Sequence, residues 1–377
     1  MDCMNLPESY YDEMLRLLRE LCVIPAPSGF EDERAKYVLN YLHNLGIKNA
    51  YIDEAKNVIC TLGKETDQKV VFMAHTDIVF PFETPLNLVD DGEKLYCPGV
   101  GDDTARLVML LVSLKYIMDH NIQLNKTILF SANSCEEGLG NLKGCRQIFK
   151  DFEGEISRMY TIDGSNSAFV NRSVGSHRYK VTAITEGGHS YGAFGNRNAI
   201  NVLAGIISKI YEIEVPKVGE SKTTYNVGTI EGGTTVNTIA QKATMLAEYR
   251  SDDVECLSIM KEKFQAIFEE GKTKCESLEV ELVGDRPCMS TDIDMEKMQA
   301  MSELVASVQS KYGKCDVSPK SGSTDANIPL SLGIPAICVG AGIAGKAHTT
   351  EEWIDKESLK SGLAIVLELI LTEGEVL

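Results

Sequence analysis

His75 and Asp77, two positions apart, close the apolar run Val70-Val71-Phe72-Met73, which predicts a buried strand. Further on, Gly101 delivers two adjacent aspartates, Asp102 and Asp103, and Thr104 opens a helix-like run. A second apolar strand, 127–130, leads into Cys135-Glu136-Glu137-Gly138; a third, 159–162, ends at Asp163-Gly164; a fourth, 336–339, precedes His348. His75, the Glu136-Glu137 pair, Asp163 and His348 thus fall at or shortly after the carboxyl ends of strands, the edge at which open α/β sheets bind ligands. Two of the chain's six histidines lie there. Imidazoles with carboxylates suit zinc or a similar divalent ion, and a shared Asp102 allows two ions side by side. Neighbouring side chains point in different directions, so one member of Glu136-Glu137 can bind metal while the other takes a proton from water.

The elements that must position these groups are legible in the periodicity. Residues 10–22 carry Met14, Leu17, Leu18 and Leu21 on one helical face, and Pro25-Ala26-Pro27 stops that helix. Ser28-Gly29-Phe30-Glu31 has the form of a capping box, followed by the stripe Ala35, Val38, Leu39, Leu42 and Leu45. Short strands are expected at 51–52 and 58–62, and a largely buried helix over 105–116. Strands alternating with helices predict an α/β layer with a mixed, mostly parallel sheet flanked by helices. Beyond Val174 the order becomes β-α-β-β-α-β, that of a ferredoxin-like α+β domain, before the α/β texture returns. The expected division is 1–174 with 285–377 as one discontinuous domain and 175–284 as an inserted one.

Across 377 residues, 44% are hydrophobic and 24% charged, an ordinary globular composition with room for two domains. The formal net charge of −18 argues against nucleic acid or an anionic membrane as partner. No apolar run is long enough to span a bilayer. The start, Met1-Asp2-Cys3-Met4-Asn5, lacks the form of a signal peptide, and the eleven cysteines include no Cys-x-x-Cys pair. Together these read as a cytoplasmic chain with buried free thiols.

Ala74-His75-Thr76-Asp77, Gly101-Asp102-Asp103, Glu136-Glu137-Gly138, Ile162-Asp163-Gly164, Gly188-His189-Ser190 and Ala347-His348-Thr349 occur in that order. As an ordered set they resemble the dinuclear zinc peptidase and deacylase family, most of all peptidase T-like members. The resemblance implies a water bridging two zinc ions per subunit, with cobalt or manganese as alternatives. His75 and Asp163 would hold one ion, Glu137 and His348 the other, with Asp102 bridging. It further implies that Asp77 orients His75, that Glu136 is the general base, and that the Asp102-Asp103 peptide is cis. The resemblance also implies a homodimer through the inserted domain: in dimeric relatives the residue matching His189 reaches the partner's site, while by composition alone His189 is a histidine in a glycine-rich turn. Asn237, Arg250 and Ser323 match positions that line the substrate site, and for Arg250 a surface salt bridge is the competing reading. Where many relatives carry Lys and small residues after the aspartates, this chain has Thr104-Ala105-Arg106. The expected activity is that of an aminopeptidase on short peptides such as tripeptides. Removal of an N-acyl group from an amino acid is the alternative, and a non-catalytic binding protein on the same fold a remote one.

Overall fold

The computed structural model describes residues 6–313 and 316–376. Val70, Val71, Phe72 and Met73 have no polar side chain among them and are buried on both faces, as a central strand between layers requires. Their strand, Lys69–His75, lies between Thr127–Asn133 and Ile156–Ile162, and Ala336–Val339 follows on the far side of the latter. All three pairings are parallel. The carboxyl ends of these four strands therefore share one edge, and the segments that leave them meet there. Antiparallel strands extend the sheet on both sides, Val58–Leu62 and Tyr51–Ile52 beyond Thr127–Asn133 and Ala168–Ser173 beyond Ala336–Val339, and Ser318–Gly322 follows next to Ala168–Ser173.

Helix Ala105–Asp119 has every residue from Ala105 to Leu114 buried. It packs against Ser358–Glu373, which packs in turn against Met295–Gly313. The helix expected over 10–22 runs Glu8–Leu21 with its anticipated apolar face inward. The expected capping box does not form. The next helix begins at Asp32 with no side-chain cap, because Ser28 and Glu31 bond elsewhere: Ser28 Oγ donates to Asp77 Oδ2 at 2.6 Å. Glu31 is buried and Ser28 half-buried, which favours these partners over a solvent-exposed local cap.

The chain divides into two compact units, one formed by Met1–Arg172 with Ser290–Leu377 and the other by Ser173–Met289. The second unit has its own antiparallel sheet in the order Thr223–Gly232, Lys242–Ser251, Gly175–Ile184, Ser277–Arg286. With helices Ala199–Tyr211 and Val254–Lys272 this is the β-α-β-β-α-β order read from the sequence. Tyr179, Val181, Leu203, Ile206, Met245, Tyr249, Phe264 and Phe268 form its core. Each helix starts on a side-chain cap, Asn198 accepting from Ile200 and Asn201, Asp253 from Cys256.

Candidate metal centre

His75 is the last residue of its strand and is fully buried. Its Nε2 lies 3.1 Å from Asp102 Oδ1, while Nδ1 faces the Asp77 carbonyl at 3.1 Å, with Asp77 Oδ1 at 3.5 Å. A proton on Nδ1 donated to that carbonyl leaves the Nε2 lone pair for a metal. Asp102 Oδ2 faces His348 Nε2 at 3.2 Å, and the same nitrogen lies 3.0 Å from Glu137 Oε1. Ligand atoms of His75, Asp102 and Asp163 all fall within 4.8 Å of one another, as do those of Asp102, Glu137 and His348, and those of His75, Glu136 and Glu137. Asp102 belongs to two of these groups.

The loop that presents Asp102 is held from below by Glu352, a residue the sequence reading missed. Its buried carboxylate accepts the backbone N–H groups of Gly99, Gly101 and Asp102 at 2.9, 2.8 and 2.6 Å, and burial pushes it up to about 7. The Asp102-Asp103 peptide is cis. Asp77 faces His75 as expected and has a further use. Its carbonyl makes the shorter contact to His75, whereas its carboxylate oxygens accept the N–H groups of Glu136 and Glu137, each at 2.9 Å. Asp77 thus ties the histidine strand to the glutamate turn. Arg106, at the departure from the family pattern, is buried and donates Nη2 to the Gly164 carbonyl at 2.7 Å, beside Asp163.

The donor set is one that calls for positive charge. Burial works against protonation of His75, yet the carboxylates of Asp103, Asp102 and Asp77 raise it well above the ordinary histidine range. Hydrogen bonds to Asp102 and Glu137 raise His348 to about 10. Burial and the neighbouring Asp102 carboxylate push Asp163 up to about 6. Protons on the imidazoles stand where cations would otherwise balance the carboxylates, and the residues present fit divalent metal ions. Access is uneven: the side chain of His75 is 1% exposed and that of His348 55%.

His75, Asp102, Glu136, Glu137, Asp163 and His348, scattered over the chain, are brought together. Ser323 lies in the segment that follows Ser318–Gly322. His189, Asn237 and Arg250 belong to the second unit. His189 is exposed, and its Nδ1 accepts from the N–H groups of Tyr191 and Gly192 at 3.3 Å each, which places the proton of the neutral ring on Nε2. The Asn237 side chain is exposed, its Oδ1 accepting from Thr235 Oγ1 at 2.9 Å. Arg250 makes a two-pronged ion pair with Glu248 at 2.8 and 3.0 Å, the salt bridge that competes with a ligand role.

The model of peptidase family M20/M25/M40 matches residues 71–372. The chain belongs to this family and is a metal-dependent hydrolase. Succinyl-diaminopimelate desuccinylase of Corynebacterium glutamicum is 25% identical over 366 residues, covering 95% of each chain. Among solved structures, a tripeptidase from Staphylococcus aureus superposes with a TM-score of 0.74 at 24% identity, over 97% of this chain and 99% of that one. The aminopeptidase PepT of Bacillus cereus gives 0.70 at 23% identity, over 95% and 98%. No helix among the described residues is long and apolar enough to cross a membrane.

Proposed function

We propose that the chain is an aminopeptidase that hydrolyses the first amide bond of short peptides such as tripeptides, with Glu136 as its general base. The observation that carries this is Asp102, shared between the group His75-Asp102-Asp163 and the group Asp102-Glu137-His348, with Glu136 adjacent to both Glu137 and His75. Two divalent ions held by these groups would supply Lewis acidity, polarising the scissile carbonyl and making water acidic enough to attack. The two imidazoles favour zinc, with cobalt and manganese as alternatives. Glu136 takes the proton of the attacking water and delivers it to the leaving amine nitrogen. His75, aligned by Asp77, keeps its orientation through both steps.

The same reading assigns the second unit to dimerisation, with His189 reaching the partner subunit's site and Asn237, Arg250 and Ser323 meeting substrate. Support for His189 is its exposure and the ring proton left on Nε2; Arg250 would have to leave Glu248 to engage a substrate carboxylate. A cytoplasmic location fits the nine described cysteines, all free and buried. The desuccinylase relative favours a second reading, deacylation of N-acyl amino acids by the same residues.

Amine release from tripeptides set against N-acetyl and N-succinyl amino acids, each with a chelated control, separates the two. Chelator-sensitive turnover of the peptides alone is expected, and turnover of the acylated compounds alone moves the chain to the deacylases. Glu136→Gln should keep its metal and lose at least about 10²-fold in kcat. Wild-type turnover in that variant would remove Glu136 as the base.

A further inference from the structure

The turn that carries Glu136 has no regular structure, yet none of its backbone N–H groups from 134 to 137 is left to water. Ser134 N donates to Asn57 Oδ1 at 3.0 Å and Cys135 N to Glu31 Oε1 at 3.1 Å. Glu136 N and Glu137 N donate to the two oxygens of Asp77 at 2.9 Å each. Four consecutive donors are therefore held by three side chains from three separate segments. Cys135 sits at φ +58°, the left-handed region that residues with side chains adopt sparingly. That residue decides the direction in which the chain, and with it Glu136, leaves the strand.

Asp77 and Asn57 each have further duties: Asp77 also meets His75 and Ser28, and Asn57 also donates to Asp53 and Gly144. Glu31 differs. Its Oε1 takes the Gly29 N–H at 2.7 Å and the Cys135 N–H, with the Cys135 thiol at 3.4 Å. Its other oxygen is buried with no hydrogen-bond partner, and the side chain is fully enclosed. A half-satisfied carboxylate in the interior is costly, and packing alone would be met better by an apolar side chain. What Glu31 supplies that such a side chain lacks is an acceptor for the strained residue before the base.

We infer that Glu31 is a positioning residue for Glu136: its carboxylate locks Cys135 in the left-handed conformation and so aims the base without touching substrate. This rests on Glu136 as the general base. In the same arrangement Ser28, three residues earlier, closes the other side through Asp77 and lies 3.2 Å from the Glu137 carbonyl. The segment read from the sequence as a helix cap is the support of the catalytic turn.

The test compares two variants of similar size in the full-length, metal-loaded protein. Glu31→Gln keeps an acceptor and Glu31→Met removes it. Displacement of a catalytic group by about 1 Å costs on the order of 10²-fold in rate. Glu31→Met should therefore lose about that factor in kcat, with KM within about twofold and metal content by mass spectrometry unchanged. Glu31→Gln should restore kcat to within about fivefold. Independently of any substrate, backbone hydrogen exchange at 134–137 should rise in the Met variant and stay low in the Gln variant. Slow exchange in both, or full kcat in Glu31→Met, overturns the inference. So does parallel loss of kcat, KM and metal in both variants, or a Met variant that fails to fold beside a Gln variant that is inactive, since each marks a purely structural role. Failure of the underlying reading looks different: Glu136→Gln would then be active.

Discussion

A carboxylate accepts through either oxygen, and the centre uses that repeatedly: Asp102 faces two imidazoles, Asp77 two backbone amides, Glu352 three. At Asp77 the arrangement makes a sharp prediction. Asparagine is nearly isosteric but turns one acceptor into an N–H donor, which then faces the N–H of Glu136 or Glu137. Asp77→Asn should cost about 10- to 100-fold in activity and lower the thermal midpoint; a variant with wild-type kcat and midpoint would show that the amides can find other partners. The candidate metal ligands were legible in the sequence because few residue types bind such ions and His75, Glu137, Asp163 and His348 fall at or shortly after strand ends, with Asp102 in a glycine-led turn. Glu31, Glu352 and Asn57 were not. A side chain that accepts backbone N–H groups from a distant segment leaves no local spacing, and at Ser28 and Glu31 the local pattern pointed to a helix cap instead.

At the scale of elements, the parallel strands were readable as continuous apolar runs and the helix 105–116 as largely buried from its density of apolar residues. Ser318–Gly322, spelled Ser-Pro-Lys-Ser-Gly, joins the sheet edge with no periodicity that could announce it. Turns at the sheet edge set the spacing of the ligands. Asp163 N donates to the Val339 carbonyl at 2.9 Å, and Ala341 N to the Gly164 carbonyl at 3.1 Å, so the segment after Ala336–Val339 fixes the Asp163 loop. Gly340 lies between. A Cβ there would stand 1.8 Å from the Ser165 carbonyl oxygen and 2.7 Å from that of Ala168, both backbone atoms that cannot swing aside. Gly340→Ala should destabilise by about 1–3 kcal/mol in a urea titration and lower metal occupancy. An unchanged midpoint would mean that the loop shifts freely.

For the whole molecule, the two-unit division was visible as a change of texture near Val174, because an antiparallel sheet with half-exposed strands alternates where a parallel one does not. The ferredoxin-like order could be read strand by strand. How the second unit serves the first could only be inferred from resemblance. One contrast within the centre has a consequence in time. His75 is sealed and His348 stands more than half in solvent, with Asp102 common to both. On the two-ion reading, one ion is a long-term resident and the other a visitor that comes and goes through the His348 side. Stopped-flow chelation should then be biphasic, with the fast phase lost in His348→Ala, and a single exponential would mean that both ions leave by the same door. Free metal in the surroundings would set how much of the protein is ready to work at any moment.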